Sequence, residues 1–310
     1  MKSKILKLIR FLAALAHLAG LGLVFTGGSP LFLLPLMAWS FLLFLAADNQ
    51  LREANSLLLG DPGRGRLLLL ASLLFCSLLE ATNLFLDHRF WAGVPAEAWL
   101  RWPFFIVTFA SFLPLVLEIE RKLENLGLAE VLLWRRIGTT RGVQLLFLAL
   151  GLLLLLPLVL SPAYFYPLLW VALLFLTDPL VNLLGRDDLS ISGQFEEGYY
   201  GQAFRLLGTG LILGFLWEFW NYRAGCKWFY SGSSQASLFE LPLLEFWGYA
   251  FKALGAYAFF QLLTVLKRRF SGRLEPGTIG ILGGLLLLLI LGLTLAGMDA
   301  RTVASFRQVF

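Results

Sequence analysis

The stretch GTIGILGGLLLLLILGLTLAGM, residues 277 to 298, carries no charged side chain. A helix needs about 20 mostly apolar residues to cross a hydrocarbon core of roughly 30 Å, and this run meets that length. Working outward from it, eight more stretches of the same kind lie between charged or turn-rich segments. They run approximately 7 to 26, 30 to 47, 67 to 86, 102 to 119, 143 to 160, 164 to 184, 203 to 221 and 243 to 265, and the second and eighth carry the weakest pattern. With 58% of its 310 residues hydrophobic and only 15% charged, the chain is too apolar for an ordinary soluble domain. The expectation is an all-α, polytopic transmembrane helical bundle of about nine helices.

A net charge of +5 would suit nucleic acid in a soluble protein, but in a membrane protein the placement of Lys and Arg sets the orientation. With the N-terminus inside, 17 positive residues fall on the cytoplasmic side: Lys2, Lys4, Lys7, Arg10, Arg52, Arg64, Arg66, Arg121, Lys122, Arg135, Arg136, Arg141, Arg186, Lys267, Arg268, Arg269 and Arg273. Six fall outside, Arg89, Arg101, Arg223, Lys227, Arg301 and Arg307, while Arg205 and Lys252 lie within helices. The inverted topology would translocate the basic majority. The expected location is therefore the cell (inner) membrane, with the N-terminus cytoplasmic, the C-terminus outside and no nucleic-acid partner. The basic start and the apolar run Phe11 to Phe25 resemble a secretory signal, but no small-x-small cleavage site follows before Pro30. That suits a signal anchor. Cys76 and Cys226 are too isolated for a disulfide framework or a thiolate metal site.

The chain also resembles itself. One half reads Asn55, Gly60-Asp61, a helix ending Glu80-Ala81-Thr82-Asn83, Trp91 and Trp102-Pro103. The other reads Asn182, Gly185-Arg186-Asp187, a helix ending Trp217-Glu218-Phe219-Trp220-Asn221, Trp228 and Leu241-Pro242. The order is the same, and the spacing from Glu-x-x-Asn to Pro barely changes. An insertion of about eleven residues in the second cytoplasmic loop is the main difference. Helices one to four then correspond to five to eight. The expected division is a first repeat over 1–142, a second over 143–270, and a C-terminal helix and tail over 271–310. Both Glu-x-x-Asn copies end a helix of the same direction, so the repeats are parallel and imply a pseudo-two-fold axis along the membrane normal. Gly210/Gly214 and Gly280/Gly284 offer small-xxx-small spacings for close helix approach.

Glu80 with Asn83, and Glu218 with Asn221, are three residues apart and share a helix face. Carboxylates near hydrocarbon are costly unless paired, protonated or facing a polar cavity, which makes these four residues candidates. A purely structural role near the outer interface stands beside that. Glu240 and Glu245 bracket Pro242 before the eighth helix, and Lys252 sits about ten residues into it, where an ammonium needs a carboxylate or a wet cavity. Glu118 and Glu120 close the fourth helix, where charges are ordinarily solvated. Asp178-Pro179 is expected to interrupt the sixth helix, and Asp87-His88-Arg89 reads as turn chemistry. Trp217, Trp228 and Tyr230 fit an interfacial aromatic belt or a substrate wall. With two histidines, His17 and His88, no bis-histidine haem site is expected, and no P-loop, GxSxG, HExxH or EF-hand pattern occurs. Neither metal nor other cofactor is expected.

The succession Trp217-Glu218, Gly225, Trp228-x-Tyr230 and Pro242-x-x-Glu245 resembles the small integral-membrane lycopene β-cyclases of bacteria and archaea. Their pattern is an acid, then Gly-x-Trp-x-Tyr, then Pro-x-Glu-Glu, on two related membrane halves. This chain has Gly225-Cys226-Lys227-Trp228, one residue longer, and Leu244 where the first glutamate of the pair would stand. The resemblance implies a membrane-embedded enzyme acting on an isoprenoid or other lipid. Glu245 or Glu218 would protonate an alkene, with Asn221, Glu80 and Asn83 completing the catalytic set, and Trp217, Trp228, Tyr230, Glu240 and Lys252 would bind substrate. Membrane lipids are the expected partners. A transporter or channel with a charged path between the repeats is the alternative, and a scaffold or assembly subunit is the third. Sequence leaves the oligomeric state open.

Overall fold

A computed structural model describes residues 2–26, 31–129, 133–185, 187–231, 237–239, 241–271 and 275–304. In chain order its elements are α1 (Lys2–Phe25), α2 (Leu33–Arg52), α3 (Pro62–Leu86), β1 (Arg89–Ala92), α4 (Ala98–Asn125), α5 (Arg141–Leu153), α6 (Leu156–Leu160) and α7 (Pro162–Phe165). There follow α8 (Leu168–Leu183), α9 (Ile191–Glu197), α10 (Gly201–Arg223), β2 (Lys227–Tyr230), β3 (Ser237–Leu238), β4 (Leu241–Pro242), α11 (Leu243–Ser271) and α12 (Pro276–Arg301). Eight spans among the described residues are long and apolar enough to cross a bilayer, α5 and α6 counting as one. The two with the weakest sequence pattern are among them. This is an all-α, multi-pass membrane protein.

Its burial is inverted relative to a water-soluble bundle. Leu145, Leu146, Leu152, Leu153, Leu285, Leu286, Leu288 and Leu289 are exposed, whereas Asp48, Glu80, Glu118, Glu120, Arg205 and Glu218 are buried. Lipid solvates leucine as well as a protein core does, so the helices turn their polar groups inward.

The sixth expected span is the one that falls short. α8 has 16 residues, roughly 24 Å at 1.5 Å per residue. Its break lies at Tyr166-Pro167 and not at Asp178-Pro179, since α8 runs on through Pro179. The Asp178 carboxylate reaches out of the helix and accepts from the Ile191 and Ser192 N–H groups at 2.6 and 2.9 Å. Those are among the first, otherwise unpaired donors of α9, and the Ser190 hydroxyl caps Gly193 beside them. α9 itself falls in the stretch that the repeat alignment leaves unmatched.

The helices pack in the same order in both halves. α1 lies on α2, α2 on α4 and α3 on α4; likewise α5 lies on α8, α8 on α11 and α10 on α11. α10 joins the halves through α4, and α12 packs on α3. The C-terminal end of α12 is pinned by the Arg101 guanidinium, which donates to both Asp299 carboxylate oxygens at 2.7 Å.

Glu118 and Glu120 depart from the solvated ends expected of them, because α4 continues to Asn125 and leaves both inside the bundle. Glu118 accepts from the Ser56 hydroxyl at 2.8 Å, the Leu58 N–H at 2.9 Å and the Asn49 amide at 2.8 Å. Glu120 accepts from Arg205 Nε on α10 at 2.9 Å.

The two glycine pairs behave differently. A Cβ on Gly210 would lie 2.1 Å from the Tyr249 carbonyl oxygen, and one on Gly214 would lie 2.7 Å from the Tyr249 ring, whereas Gly280 and Gly284 have no such neighbour within 4 Å. Only the first pair sets a helix crossing, and it brings Tyr249 of α11 one turn from Glu218. We expect Gly210→Leu to lower the unfolding midpoint in detergent by the equivalent of ~1–3 kcal/mol or more, as overpacking does. Gly280→Leu should leave that midpoint unchanged.

Candidate functional site

The site is built where the two Glu-x-x-Asn helices end. On α3, the Asn83 amide donates to the Arg89 carbonyl at 2.8 Å and accepts from the Arg89 N–H at 2.9 Å. On α10, the Asn221 amide donates to the Trp228 carbonyl at 2.9 Å and accepts from the Trp228 N–H at 2.9 Å. Each asparagine thus satisfies both backbone groups of one strand residue, which would otherwise be orphaned away from water. The held strands, β1 and β2, pair antiparallel with Arg89 opposite Tyr230, Phe90 opposite Phe229 and Trp91 opposite Trp228. Exchanging Arg89 with Trp228 and Trp91 with Tyr230 maps this ladder onto itself. A local two-fold relation therefore passes through the Phe90–Phe229 pair. The strands are the main feature that a helix-only expectation missed.

Beneath the ladder lie the carboxylates. Glu80 pairs through Oε1 with Arg89, and its Oε2 has no hydrogen-bond partner among the described residues. The Arg89 guanidinium also lies 5.9 Å from the Trp91 ring centre and 5.5 Å from that of Trp228. Burial opposes its charge, but the Glu80 carboxylate and, after it, the Tyr166, Tyr230 and Tyr249 side chains together outweigh this and hold Arg89 above the ordinary arginine range. Glu218 is fully buried; its Oε1 accepts from the Tyr230 hydroxyl at 2.6 Å and the Tyr249 hydroxyl at 2.8 Å, while Oε2 has no hydrogen-bond partner among the described residues. Burial, and then the neighbouring Glu218, push the Tyr230 phenol well above its ordinary value, so it remains a donor.

Lys252 projects from α11 into the same region. Its ammonium stands 4.7 Å from the Phe112 ring centre, 4.6 Å from Trp170 and 4.7 Å from Tyr249, and no described carboxylate lies within ion-pair distance. Of the two environments expected for it, the structure provides the cavity. That cavity, about 30 Å³, is lined by Glu80, Arg89, Lys252, Cys76, Leu79, Thr108 and a wall of Trp91, Phe109, Phe112, Trp217 and Trp228. It holds roughly one or two waters. One wall is shaped by Ser72 of α3, whose hydroxyl donates to the Phe109 carbonyl at 2.5 Å and accepts from the Leu113 N–H at 3.0 Å. This insertion into the α4 ladder sits just before Pro114, the combination that bends a helix.

Glu245 lies apart from the cavity, opposite His88 Nε2, and the His88 ring stacks on Tyr166 at 4.0 Å. Asp87 alone makes the turn expected of Asp87-His88-Arg89, closing α3 in a left-handed conformation (φ 47°). The next two side chains turn inward. Glu240 lies outside the described residues. Of the sequence candidates, the structure brings together Glu80, Asn83, Glu218, Asn221, Trp217, Trp228, Tyr230 and Lys252. To them it adds Arg89, Trp91, Phe112 and Tyr249, with His88, Tyr166 and Trp170 alongside. Arg89 and Trp91 occupy in the first half the places of Trp228 and Tyr230 in the second, so the ladder relates Trp91 to Tyr230 where the sequence alignment sets it against Trp228, and no local signal marks Arg89.

No family model, curated protein or solved structure matches this chain.

Proposed function

We propose that this chain is a membrane-embedded enzyme acting on an isoprenoid or other apolar lipid by carboxylate acid/base chemistry. What supports the reading is the way Glu218 is held: fully buried, with one oxygen accepting from two phenols and the other without a partner among the described residues. That arrangement suits a neutral carboxylic acid, whose carbonyl oxygen takes both donated hydrogen bonds and whose O–H is left to donate. Delivered to an alkene, the proton forms a C–H bond and leaves a carbocation on the neighbouring carbon. Loss of a different proton to the carboxylate restores the acid and yields an isomerised or cyclised product with no co-reactant. Arg89 already lies near the Trp91 and Trp228 rings, which leaves the Trp217 indole to stabilise the cation, by about 0.5–2 kcal/mol. Because the cavity is of water size and Glu218 is not among its lining residues, turnover requires its aromatic wall to open. The N-terminus would be cytoplasmic and the site would lie toward the outer face.

The deciding experiment is mass spectrometry of lipids extracted from cells expressing the wild type or Glu218→Gln at matched protein levels. A lipid species made only with the wild type is the expected result. Identical lipid profiles would remove the reading.

A transporter is the second reading, favoured by Lys252 lining the cavity without a carboxylate partner among the described residues. It predicts that Lys252→Met abolishes solute flux in proteoliposomes. Undiminished uptake by the variant would eliminate that path.

A further inference from the structure

At the end of α3 remote from Glu80, this helix and α11 part to leave an open recess of about 400 Å³. Arg64, Lys267 and Arg268 line it, with Leu67 and the buried Phe260 as its apolar lining. All three basic side chains are on exposed residues, and no described carboxylate pairs with any of them. Asp61 also borders the recess, but its two oxygens are committed to the Gly63 and Arg64 N–H groups as the cap of α3. Three unpaired cations against one capping carboxylate leave the recess strongly positive. Scattered basic residues at a bundle end would serve orientation alone; here they converge on one recess whose lining also includes the apolar side chains of Leu67 and Phe260.

We propose that this recess is a binding site for an anionic phospholipid. Arg64, Lys267 and Arg268 bind the phosphate oxyanion, guanidinium and phosphate being matched for paired hydrogen bonds, and an acyl chain lies along Leu67 and Phe260. A free phosphate ion offers the same oxyanion, but it would leave the apolar part of the recess without an occupant. The inference is independent of the chemistry at Glu218.

The test is native mass spectrometry of the delipidated full chain in detergent, titrated with phosphatidylglycerol, phosphatidylcholine or inorganic phosphate. Phosphatidylglycerol should be retained over phosphatidylcholine. The variant Arg64→Gln/Lys267→Gln/Arg268→Gln should bind it about tenfold more weakly or worse, given the attraction expected of each basic residue for anionic lipid. A control with the same charge change at exposed positions elsewhere, Lys4→Gln/Lys7→Gln/Arg136→Gln, should bind normally. Equal loss in both variants, or none in either, would overturn the site. Equal retention of phosphatidylcholine, or displacement of phosphatidylglycerol by inorganic phosphate, would overturn the phospholipid as its ligand.

Discussion

Arg205→Met is expected to cost about 3–5 kcal/mol of stability, because it strands the Glu120 carboxylate without its partner inside the bundle. Arg205 Nε meets Glu120 Oε1 at 2.9 Å, with side-chain exposures of 3% and 2%, so neither group has water to fall back on. The same guanidinium donates to the Tyr199 hydroxyl at 3.1 Å and to Glu124 at 3.2 Å. Glu124 is about one-third exposed, at 35%, so solvent can replace its share of the interaction. The large term is Glu120. A double variant, Glu120→Leu/Arg205→Met, should therefore be more stable than the single one, since removing both members of a buried pair is commonly near neutral. Thermal unfolding of the detergent-solubilised chain and its variants measures both. A single-variant loss below 1 kcal/mol, or a double variant worse than Arg205→Met, would mean that this clasp between α4 and α10 does not hold the halves together.

The clasp also shows where sequence runs out. The apolar stretches and the helical class they imply are local properties, and length and periodicity express them directly. Partners are not local. Arg205 and Glu120 are 85 positions apart, and a charge at a helix end looks solvated until the helix is seen to run a further turn and a half to Asn125. Glu80, Glu218 and Lys252 could be singled out because a charge in hydrocarbon is conspicuous by itself. Arg89 could not, since beside Asp87 and His88 it has the composition of a turn. Only the strand pairing, which needs both halves folded, turns it toward Glu80. The glycine pairs make the same point: Gly210/Gly214 and Gly280/Gly284 are equivalent as patterns, yet only one faces another helix.

Glu218→Gln should reduce product formation by about 10²–10⁴-fold, the range attributed to a positioned general acid, while leaving the fold intact. The amide keeps the volume of the acid, and its oxygen can still accept from Tyr230 and Tyr249. What it cannot do is donate a carboxylic proton. Glu80→Gln is the informative contrast. It weakens the ion pair with Arg89, so its first effect should be a lower unfolding midpoint, as in the loss of any buried charge partner. Tyr230→Phe and Tyr249→Phe each remove one donor from Glu218 Oε1 and should lower the rate by about tenfold, the worth of a hydrogen bond to a group that carries charge in one half of the cycle. The experiment is a time course of lipid product in membranes normalised to folded protein. If Glu218→Gln turns over normally and a folded Glu80→Gln does not, the acid is the carboxylate that lines the cavity and Glu218 is its scaffold. If the tyrosine variants fall as far as Glu218→Gln, the phenols take part in the proton transfer themselves and do more than hold the acid in place.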